Sequence, residues 1–419
     1  MTGAMTIPAP RLAPLALALI VSSFGLGADE PRAAGPTVPS DPVFSALMTD
    51  GTVASGRIRQ IGPNGDVTLV PSRGAEQVLA FRRLVKLSRD GMLPMRAPEK
   101  QLVLLPEGDR LYRAVIGAAT ETKLDVQSLT FGKVSVPLES LAGLVLEPPE
   151  DEDASFDLVH RVRTEPRTSE ILWLAPNGDR VQGGFLGLDE KTIKFQANAG
   201  PITLELAKVE ALGFDASLVT YPKPDGPCFE LTSTDGSRLG VTKPRLEQGE
   251  VIATTRFGAP IRLALNDLVH LHTRSDSIVY LAEREVADAK YVGYVGPTRP
   301  FRRNSSVEGH PLRLAGQTYD RGLGTRSRTI LAYRLLPGDR RFQALVGLDD
   351  RAGPLGSVVF RVLVDAHERL ITPPISARDT PKAIDVDLEG AKLLILITEF
   401  GERGEVRDFA DWVEARILR

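Results

Sequence analysis

Short apolar stretches and turn residues recur in a regular order between residues 42 and 273. Each occurrence begins with an apolar strand, passes through an acidic residue or Asn followed by Gly, and continues through three further strands. Glycine fits these turns because it tolerates the positive φ angles that tight hairpins require. The four turn dipeptides are Asp50-Gly51, Glu107-Gly108, Asn177-Gly178 and Asp235-Gly236. The pattern therefore predicts four β repeats.

The spacing within each repeat predicts a small β unit. A segment rich in Leu and Val closes each repeat about 31 to 33 residues after its turn glycine. Units of about 45 residues with four or five short strands are large enough for barrels resembling SH3 or Sm folds, and such units can pack in pairs. The expected repeats cover 42–90, 100–147, 169–215 and 226–273, with an acidic linker at 148–168.

The character of the chain changes after about residue 278. Short apolar or alternating runs occur there at 342–346, 358–364, 384–388 and 393–397. Gly, Pro and charged residues separate these runs, and no long helical period interrupts them. The region is predicted to be a β-sandwich.

The N-terminal residues 1–28 have the order of a signal peptide. Arg11 precedes an apolar run at 15–24, and small residues follow up to Ala28. The run is about half the length of a membrane-spanning helix, so a membrane anchor is the weaker interpretation. The single cysteine, Cys228, cannot form an intramolecular disulfide. We expect a secreted or periplasmic protein with no transmembrane segment in the mature chain.

The charge balance argues against nucleic acid as a partner. The chain has 51 Lys and Arg against 54 Asp and Glu, which gives a formal net charge of -3 at pH 7. It therefore lacks the basic field that captures a phosphate backbone.

Motifs for catalysis are missing from the sequence. The five histidines show no H-E-x-x-H spacing, and there is no G-x-S-x-G nucleophile elbow. A carboxylate pair can lie in distant loops, so this absence weakens a glycosidase interpretation without excluding it. His270 and His272 lie two positions apart on a predicted strand and face one side of it, where a metal site is the less favoured interpretation. We expect a non-catalytic protein with no catalytic residues.

Several ordered motifs make the C-terminal region similar to a known family. They lie at 310–327, at 341–350 (RFQALVGLDD), at 356–365 (GSVVFRVLVD) and at 408–412 (DFADW). Over about residues 278–419 the chain resembles the NPCBM family of carbohydrate-binding modules, which is associated with glycoside hydrolase family 98. The resemblance implies a jelly-roll β-sandwich. The predicted fold is all-β, with an N-terminal array of small SH3/Sm-like β-barrel repeats followed by this sandwich.

The same region contains the candidate binding residues. Tyr319 offers an aromatic face to a sugar, with packing as the competing interpretation. Arg326 stands where the resembled family commonly has His, and its guanidinium offers donors to sugar hydroxyls or to an acidic sugar. Asp349 and Asp350 are candidate ligands of a structural calcium ion, for which an Asx turn is the favoured alternative. Trp412 is expected in the core.

Two functions are consistent with these features. The first is a secreted, non-catalytic protein whose C-terminal module binds a cell-surface or extracellular glycan, with the repeats as spacer or interaction modules. The second is a structural or assembly protein of the cell envelope that binds protein partners and has lost sugar binding. An unrecognised hydrolase is the weakest alternative, because a (β/α)₈ barrel takes about 250 residues of alternating strand and helix.

Overall fold

The computed structural model describes residues 41–94, 101–120, 122–294 and 300–419. Residues 41–419 form one compact unit. The predicted signal peptide at 1–28 lies outside the described residues. Within the described residues, no helix combines the length and the apolar character needed to cross a membrane.

Four units of similar strand order occupy the first part of the described chain. The first contains β1 (Val43–Met48), β2 (Val53–Ile61), β3 (Val67–Val70), β4 (Gln77–Leu79) and β5 (Leu84–Arg89). The second contains β6 (Leu102–Leu104), β7 (Arg110–Leu111), β8 (Val115–Ala119), β9 (Lys123–Ser128), β10 (Gly132–Pro137) and β11 (Gly143–Val145). A helix, α1 (Glu152–Thr164), follows the second unit.

The third and fourth units have five strands each. The third contains β12 (Glu170–Leu174), β13 (Asp179–Leu188), β14 (Thr192–Ala197), β15 (Gly200–Glu205) and β16 (Val209–Gly213). The fourth contains β17 (Cys228–Ser233), β18 (Arg238–Glu247), β19 (Glu250–Thr255), β20 (Pro260–Ala264) and β21 (Leu268–Arg274). In every unit a short 3₁₀ turn precedes the last strand.

The units share one pairing scheme, which the turn dipeptides help to set. In the first, third and fourth units the first strand pairs antiparallel with the second and with the last. All four predicted turn glycines have positive φ, between 67° at Gly178 and 85° at Gly108. The predicted all-β character is therefore confirmed, whereas the division into four repeats and their likeness to SH3 or Sm barrels stay predictions.

The last strands of the units join them in two pairs. Strand β5 of the first unit pairs with β21 of the fourth, and β11 of the second unit pairs with β16 of the third. Their apolar side chains contribute to one continuous core that runs through all four units. The units are consequently not arranged in a linear array, because the first and the last unit pair with each other.

Helix α1 occupies most of the segment 148–168, where the acidic composition predicted a linker. Asp151 caps the helix, because its Oδ1 accepts a hydrogen bond from the Ala154 amide at 2.8 Å. Ser155, Leu158 and Val162 face inward at helical spacing and are buried. The prediction of a linker is therefore wrong for this segment, which is a helix packed through an apolar stripe. The acidic residues around that stripe make it hard to recognise in the sequence.

The C-terminal region is a sandwich of two antiparallel six-stranded sheets. One sheet contains β22 (Ile278–Tyr280), β24 (Arg302–Arg303), β27 (Gly322–Arg326), β29 (Arg341–Leu348), β33 (Lys382–Asp387) and β35 (Phe409–Leu418). The other contains β23 (Asp288–Tyr291), β28 (Thr329–Arg334), β30 (Ser357–Val364), β31 (His367–Ile371), β32 (Ile375–Ser376) and β34 (Leu393–Phe400). A separate hairpin is formed by β25 (Leu312–Leu314) and β26 (Gln317–Tyr319).

The core of the sandwich forms between its two sheets. Trp412 is 1% exposed, and its ring meets Phe360 edge-on at 5.0 Å between centroids. Its indole Nε1 donates to Thr398 Oγ1 at 3.0 Å, so the buried N–H is satisfied. The expectation that Trp412 is a core residue is confirmed.

Candidate functional site

A cavity of about 390 Å³ lies where the repeats meet the sandwich. Its floor is the junction of β5 and β21, which carries Lys86, His270 and His272. Helix α1 supplies one wall through Phe156 and Val159. The hairpin β25–β26 of the sandwich supplies a further part of the lining, through residues such as Gln317 and Tyr319.

Buried ion pairs join the repeats to the sandwich beside this cavity. Glu230 is 1% exposed and accepts a hydrogen bond from Arg321 Nη2 at 2.6 Å. Arg274 Nη2 donates to the same carboxylate at 3.0 Å. Burial acts to raise the pKa of Glu230, but Arg238, Arg321 and Arg274 hold that pKa well below its ordinary value. Glu230 therefore stays ionised although its side chain is buried.

A second buried pair adds to this contact. Arg110 Nη2 donates to Asp320 Oδ2 at 2.8 Å, and Arg238 Nη1 lies 3.4 Å from the same oxygen. Arg110 and Arg238 come from the repeats, whereas Asp320 follows the sandwich strand β26. The guanidinium groups next to the cavity are thus already held by carboxylates.

The side chains at the floor of the cavity, unlike these ion-paired groups, have few hydrogen-bond partners. The Lys86 ammonium makes no hydrogen bond or ion pair with any residue that the structure describes, and burial lowers its pKa. Burial also lowers the pKa of His270 to about 4 and holds that of His272 well below its ordinary value. Both Nδ1 atoms are buried without a hydrogen-bond partner in the described chain. The floor therefore presents one cation and two neutral imidazoles, and the ring nitrogens of His272 each lie 4.0 Å from a carboxylate oxygen, of Glu230 and of Glu414.

The predicted binding residue Tyr319 lies in the wall of this cavity. Its hydroxyl donates to Gln317 Oε1 at 3.0 Å, and burial raises its pKa to about 12. Its ring packs on a small cluster formed by Leu312, Leu314 and Val413. Tyr319 is consequently a half-buried packing residue and does not stand out as a free surface platform.

The other predicted binding residue, Arg326, lies at the far end of β27. Its guanidinium sits over the Phe409 ring at 5.0 Å from the centroid. Its Nη1 is 3.7 Å from Glu308 Oε1. Within the described part of the chain, Arg326 contacts Phe409 and Glu308 whereas Tyr319 contacts Gln317 and the Leu312 cluster, so the two predicted residues do not share a site.

The segments 292–294, 326–328 and 399–409 meet around Arg326, and we call this surface the loop edge. The Val292 amide donates to the Arg328 carbonyl at 2.9 Å. Arg328 Nε lies 3.0 Å from Glu399 Oε2. Asp408 accepts a hydrogen bond from the Ser327 hydroxyl, and its pKa is raised by burial. The loop edge thus combines guanidinium and carboxylate groups on a hydrogen-bonded frame.

An aromatic side chain that the sequence analysis missed stands on the loop edge. Tyr294 is 68% exposed, and its ring lies 4.5 Å from the Phe400 centroid. Its amide donates to Glu405 Oε2 at 2.7 Å. The available signal was a Tyr next to Gly293 in a turn-rich stretch, which does not reveal that its ring faces solvent.

The predicted calcium ligands Asp349 and Asp350 have different surroundings. Asp349 is buried and accepts a hydrogen bond from the Arg351 amide at 2.9 Å, which is the Asx-type turn. Asp350 accepts from the Gly316 amide at 2.8 Å. Burial and the neighbouring Asp349 carboxyl raise the pKa of Asp411 well above its ordinary value. Among the described residues, no group of three or more His, Cys, Asp or Glu is arranged to hold a metal ion.

One curated relative shares sequence with this chain. A Renibacterium salmoninarum protein named as an endo-alpha-N-acetylgalactosaminidase is 31% identical over 126 residues. The match covers 29% of this chain and 8% of that protein. The chain therefore corresponds to a small part of its relative.

Solved structures and one family model also match this chain, and the family match gives the residues that it covers. CBM51 from Clostridium perfringens GH95 in complex with methyl-galactose is 24% identical, with a TM-score of 0.31 over 34% of this chain and 99% of that one. The tandem CBM51 modules of the family 98 glycoside hydrolase from Streptococcus pneumoniae are 12% identical, with a TM-score of 0.30 over 90% of this chain and 88% of that one. The family match covers residues 278–418. This C-terminal third of the chain is an NPCBM/NEW2 domain.

Proposed function

We propose that this protein is a non-catalytic, secreted or periplasmic protein whose C-terminal domain binds a glycan. The observation that carries the proposal is the NPCBM/NEW2 match over residues 278–418, because NPCBM is a family of carbohydrate-binding modules. The proposal assigns no catalytic residue, and it takes the repeats as the base of the binding domain.

We place the sugar contact at the loop edge. The exposed ring of Tyr294 is suited to stacking against the apolar face of a sugar. Arg326 and Arg328 offer several N–H donors to hydroxyls, and Glu399 offers acceptor oxygens. A rigid aromatic platform flanked by donors and acceptors is the combination that orients a polar ligand at low entropic cost.

The role of the repeats follows from their contact with the sandwich. The buried Glu230–Arg321 and Arg110–Asp320 pairs tie the two parts together. We therefore propose that the repeats act as a rigid base and not as a flexible spacer. Protein contacts of the repeats in an envelope assembly are the alternative function.

The full-length protein on an array of neutral and acidic glycans tests the proposal. We expect binding to at least one glycan, and a loss of at least about tenfold in affinity, or about 1.4 kcal/mol, for Tyr294→Ala and for Arg326→Ala. Arg334→Ala is the matched control, because Arg334 is an exposed arginine at the other end of β28. This control should bind as the wild type does.

Two results would count against sugar binding. Failure of the wild type to bind any glycan would do so, as would equal affinity of the wild type and both loop-edge variants. Recovery of a stable protein partner from the native cell envelope, without dependence on glycan, would then favour the assembly function.

A further inference from the structure

We propose that the cavity between the repeats and the sandwich is a second ligand site, which binds a small monocarboxylic acid with an apolar body. The juxtaposition that carries this proposal is the Lys86 ammonium, which bonds to none of the described residues, beside His270 and His272, whose Nδ1 atoms are buried and make no hydrogen bond with the described chain, in a cavity that also has an apolar wall. The site is separate from the loop edge, so it does not depend on glycan binding.

The polar end of the site is the floor formed by β5 and β21. His272 is the cross-strand neighbour of Lys86, and His270 lies two residues away on the same face. Lys86 is half-buried, and an ammonium that is partly removed from water without a bonded partner carries a desolvation cost that a bound anion would relieve. The neutral imidazoles add hydrogen-bonding nitrogens to the same place. A carboxylate fits this set, since it accepts hydrogen bonds at both oxygens.

Charge complementarity limits the ligand to a single negative charge. The described residues lining the cavity include five Lys or Arg and four Asp or Glu, so one positive charge is in surplus. Arg110 is held by Asp320 and Arg321 by Glu230, at 2.8 Å and 2.6 Å. The other two lining arginines are paired as well, since Arg238 Nη1 lies 3.4 Å from Asp320 Oδ2 and Arg313 donates to Glu152. None of the four guanidinium groups is therefore unpaired and ready to take a phosphate in two-point contact. The cavity is therefore matched to a monoanion and not to a phosphate ester.

The remaining wall favours an apolar body on the ligand. Leu102, Val145 and Tyr112 of the second unit join Phe156 and Val159 of helix α1 in lining the space. A volume of 390 Å³ lies near the lower end of the roughly 300–1,000 Å³ range of small-molecule sites. An aromatic or cyclic aliphatic ring with one carboxylate meets both the size and the chemistry.

The cavity is connected to solvent at its rim. Leu93 is 55% exposed and Glu152 is exposed, and both belong to its lining. A ligand can therefore enter without separation of the repeats from the sandwich.

Calorimetric titration of the full-length protein tests this site. We use benzoate and cyclohexanecarboxylate as ligands, and benzamide as the uncharged counterpart of benzoate. We expect at least one of the acids to bind with a Kd below about 1 mM, and benzamide to bind at least about tenfold more weakly. Lys86→Met keeps the side-chain length without the charge, and it should reduce the affinity for the acid at least about tenfold.

A second variant tests the apolar wall. It also keeps the proposal testable if the Lys86→Met protein does not fold. Val159→Trp fills the cavity without changing any charge, and it should also abolish binding of the acid. Neither variant should alter glycan binding, because both positions lie away from the loop edge.

The proposal is overturned if neither acid binds or if benzamide binds as well as benzoate. It is equally overturned if a folded Lys86→Met protein keeps wild-type affinity, or if Val159→Trp does. Stronger binding of glucuronate or inorganic phosphate than of either acid would contradict the apolar body or the single charge. Because glycan binding is measured separately, a failure here leaves the sugar proposal standing.

Discussion

At the scale of single residues, the sequence predicts on which face of a strand a side chain lies. It predicts less well which other residues that side chain contacts. The alternation of β21 places His270 and His272 on one face, and the structure confirms this by putting both in the cavity floor. Lys86 carried no signal, because a lysine in a short strand is normally solvated. The cavity that Lys86 lines is completed by residues of α1 and the sandwich, which no local pattern connects with β5.

The buried imidazole of His270 predicts a stability that depends on pH. Its folded-state pKa of about 4 lies below the ordinary 6.5, so the unfolded chain binds more protons between these values. The contribution of His270 is complete above pH 6.5 and is lost as the pH falls towards 4. We expect the wild type to lose about 3 kcal/mol more unfolding free energy than His270→Gln does when the pH falls from 7 to 4.

Urea denaturation at several pH values measures this difference. Above about pH 8 the imidazole is neutral in both states, so the gap between variant and wild type should no longer change with pH. If the difference in unfolding free energy between the two proteins stayed constant from pH 4 to pH 7, His270 would not be buried in its neutral form.

At the scale of elements, strands were predictable and helix α1 was not. The strands are marked by apolar alternation and by turn glycines, both of which are local. In α1 the acidic residues Glu152 and Asp153 favour the start of a helix, but an acidic composition is also typical of a solvated linker. The deciding feature is the contact of Val162 with Gly143. Gly143 lies on strand β11, so this contact cannot be recognised without the structure.

The close approach of α1 to β11 predicts a strict need for glycine at position 143. A Cβ atom there would overlap Val162 Cγ1 and would lie 2.8 Å from the Leu212 carbonyl oxygen. We expect Gly143→Ala to lower the free energy of unfolding by about 2 kcal/mol, since the helix must move away from the sheet. Chemical denaturation gives the value.

Gly184→Ala is the matched control for this change. Gly184 also lies on a strand, β13, and the nearest atom to its added Cβ is Gln196 Cβ at 3.9 Å. We expect a change of less than about 0.5 kcal/mol in the control. Equal effects at the two glycines would mean that α1 does not pack tightly on β11.

At the scale of the whole molecule, the sequence predicted the parts but not their assembly. The all-β class and the sandwich were predictable because short apolar runs and turn residues mark their strands locally. The cavity and the buried ion pairs arise between segments far apart in the chain, where spacing carries no information. Glu230, in a predicted strand, therefore gave no sign that it would meet Arg321 of the sandwich.

The Glu230 cluster predicts that the repeats and the sandwich unfold together. Glu230→Gln removes the charge that balances Arg321, Arg274 and Arg238, and it leaves buried guanidinium groups without compensation. We expect a loss of about 3 to 5 kcal/mol in unfolding free energy. Calorimetry should show one transition for the wild type and a separate, earlier transition for one part of the variant.

Glu250→Gln is the control, because Glu250 is an exposed partner of Arg262 at 3.1 Å. Its effect should stay below about 1 kcal/mol. If Glu230→Gln were as mild as this control, the buried cluster would not be what holds the two parts together.

The short connection between the repeats and the sandwich has a consequence for how the protein meets a surface. Only residues 275–277 separate β21 from β22, and such a segment spans at most about 10 Å. The binding domain therefore cannot swing or search a volume around its base. A glycan held at the loop edge would fix the pose of the entire protein, so copies on a glycan-rich surface would all present their repeats in the same direction.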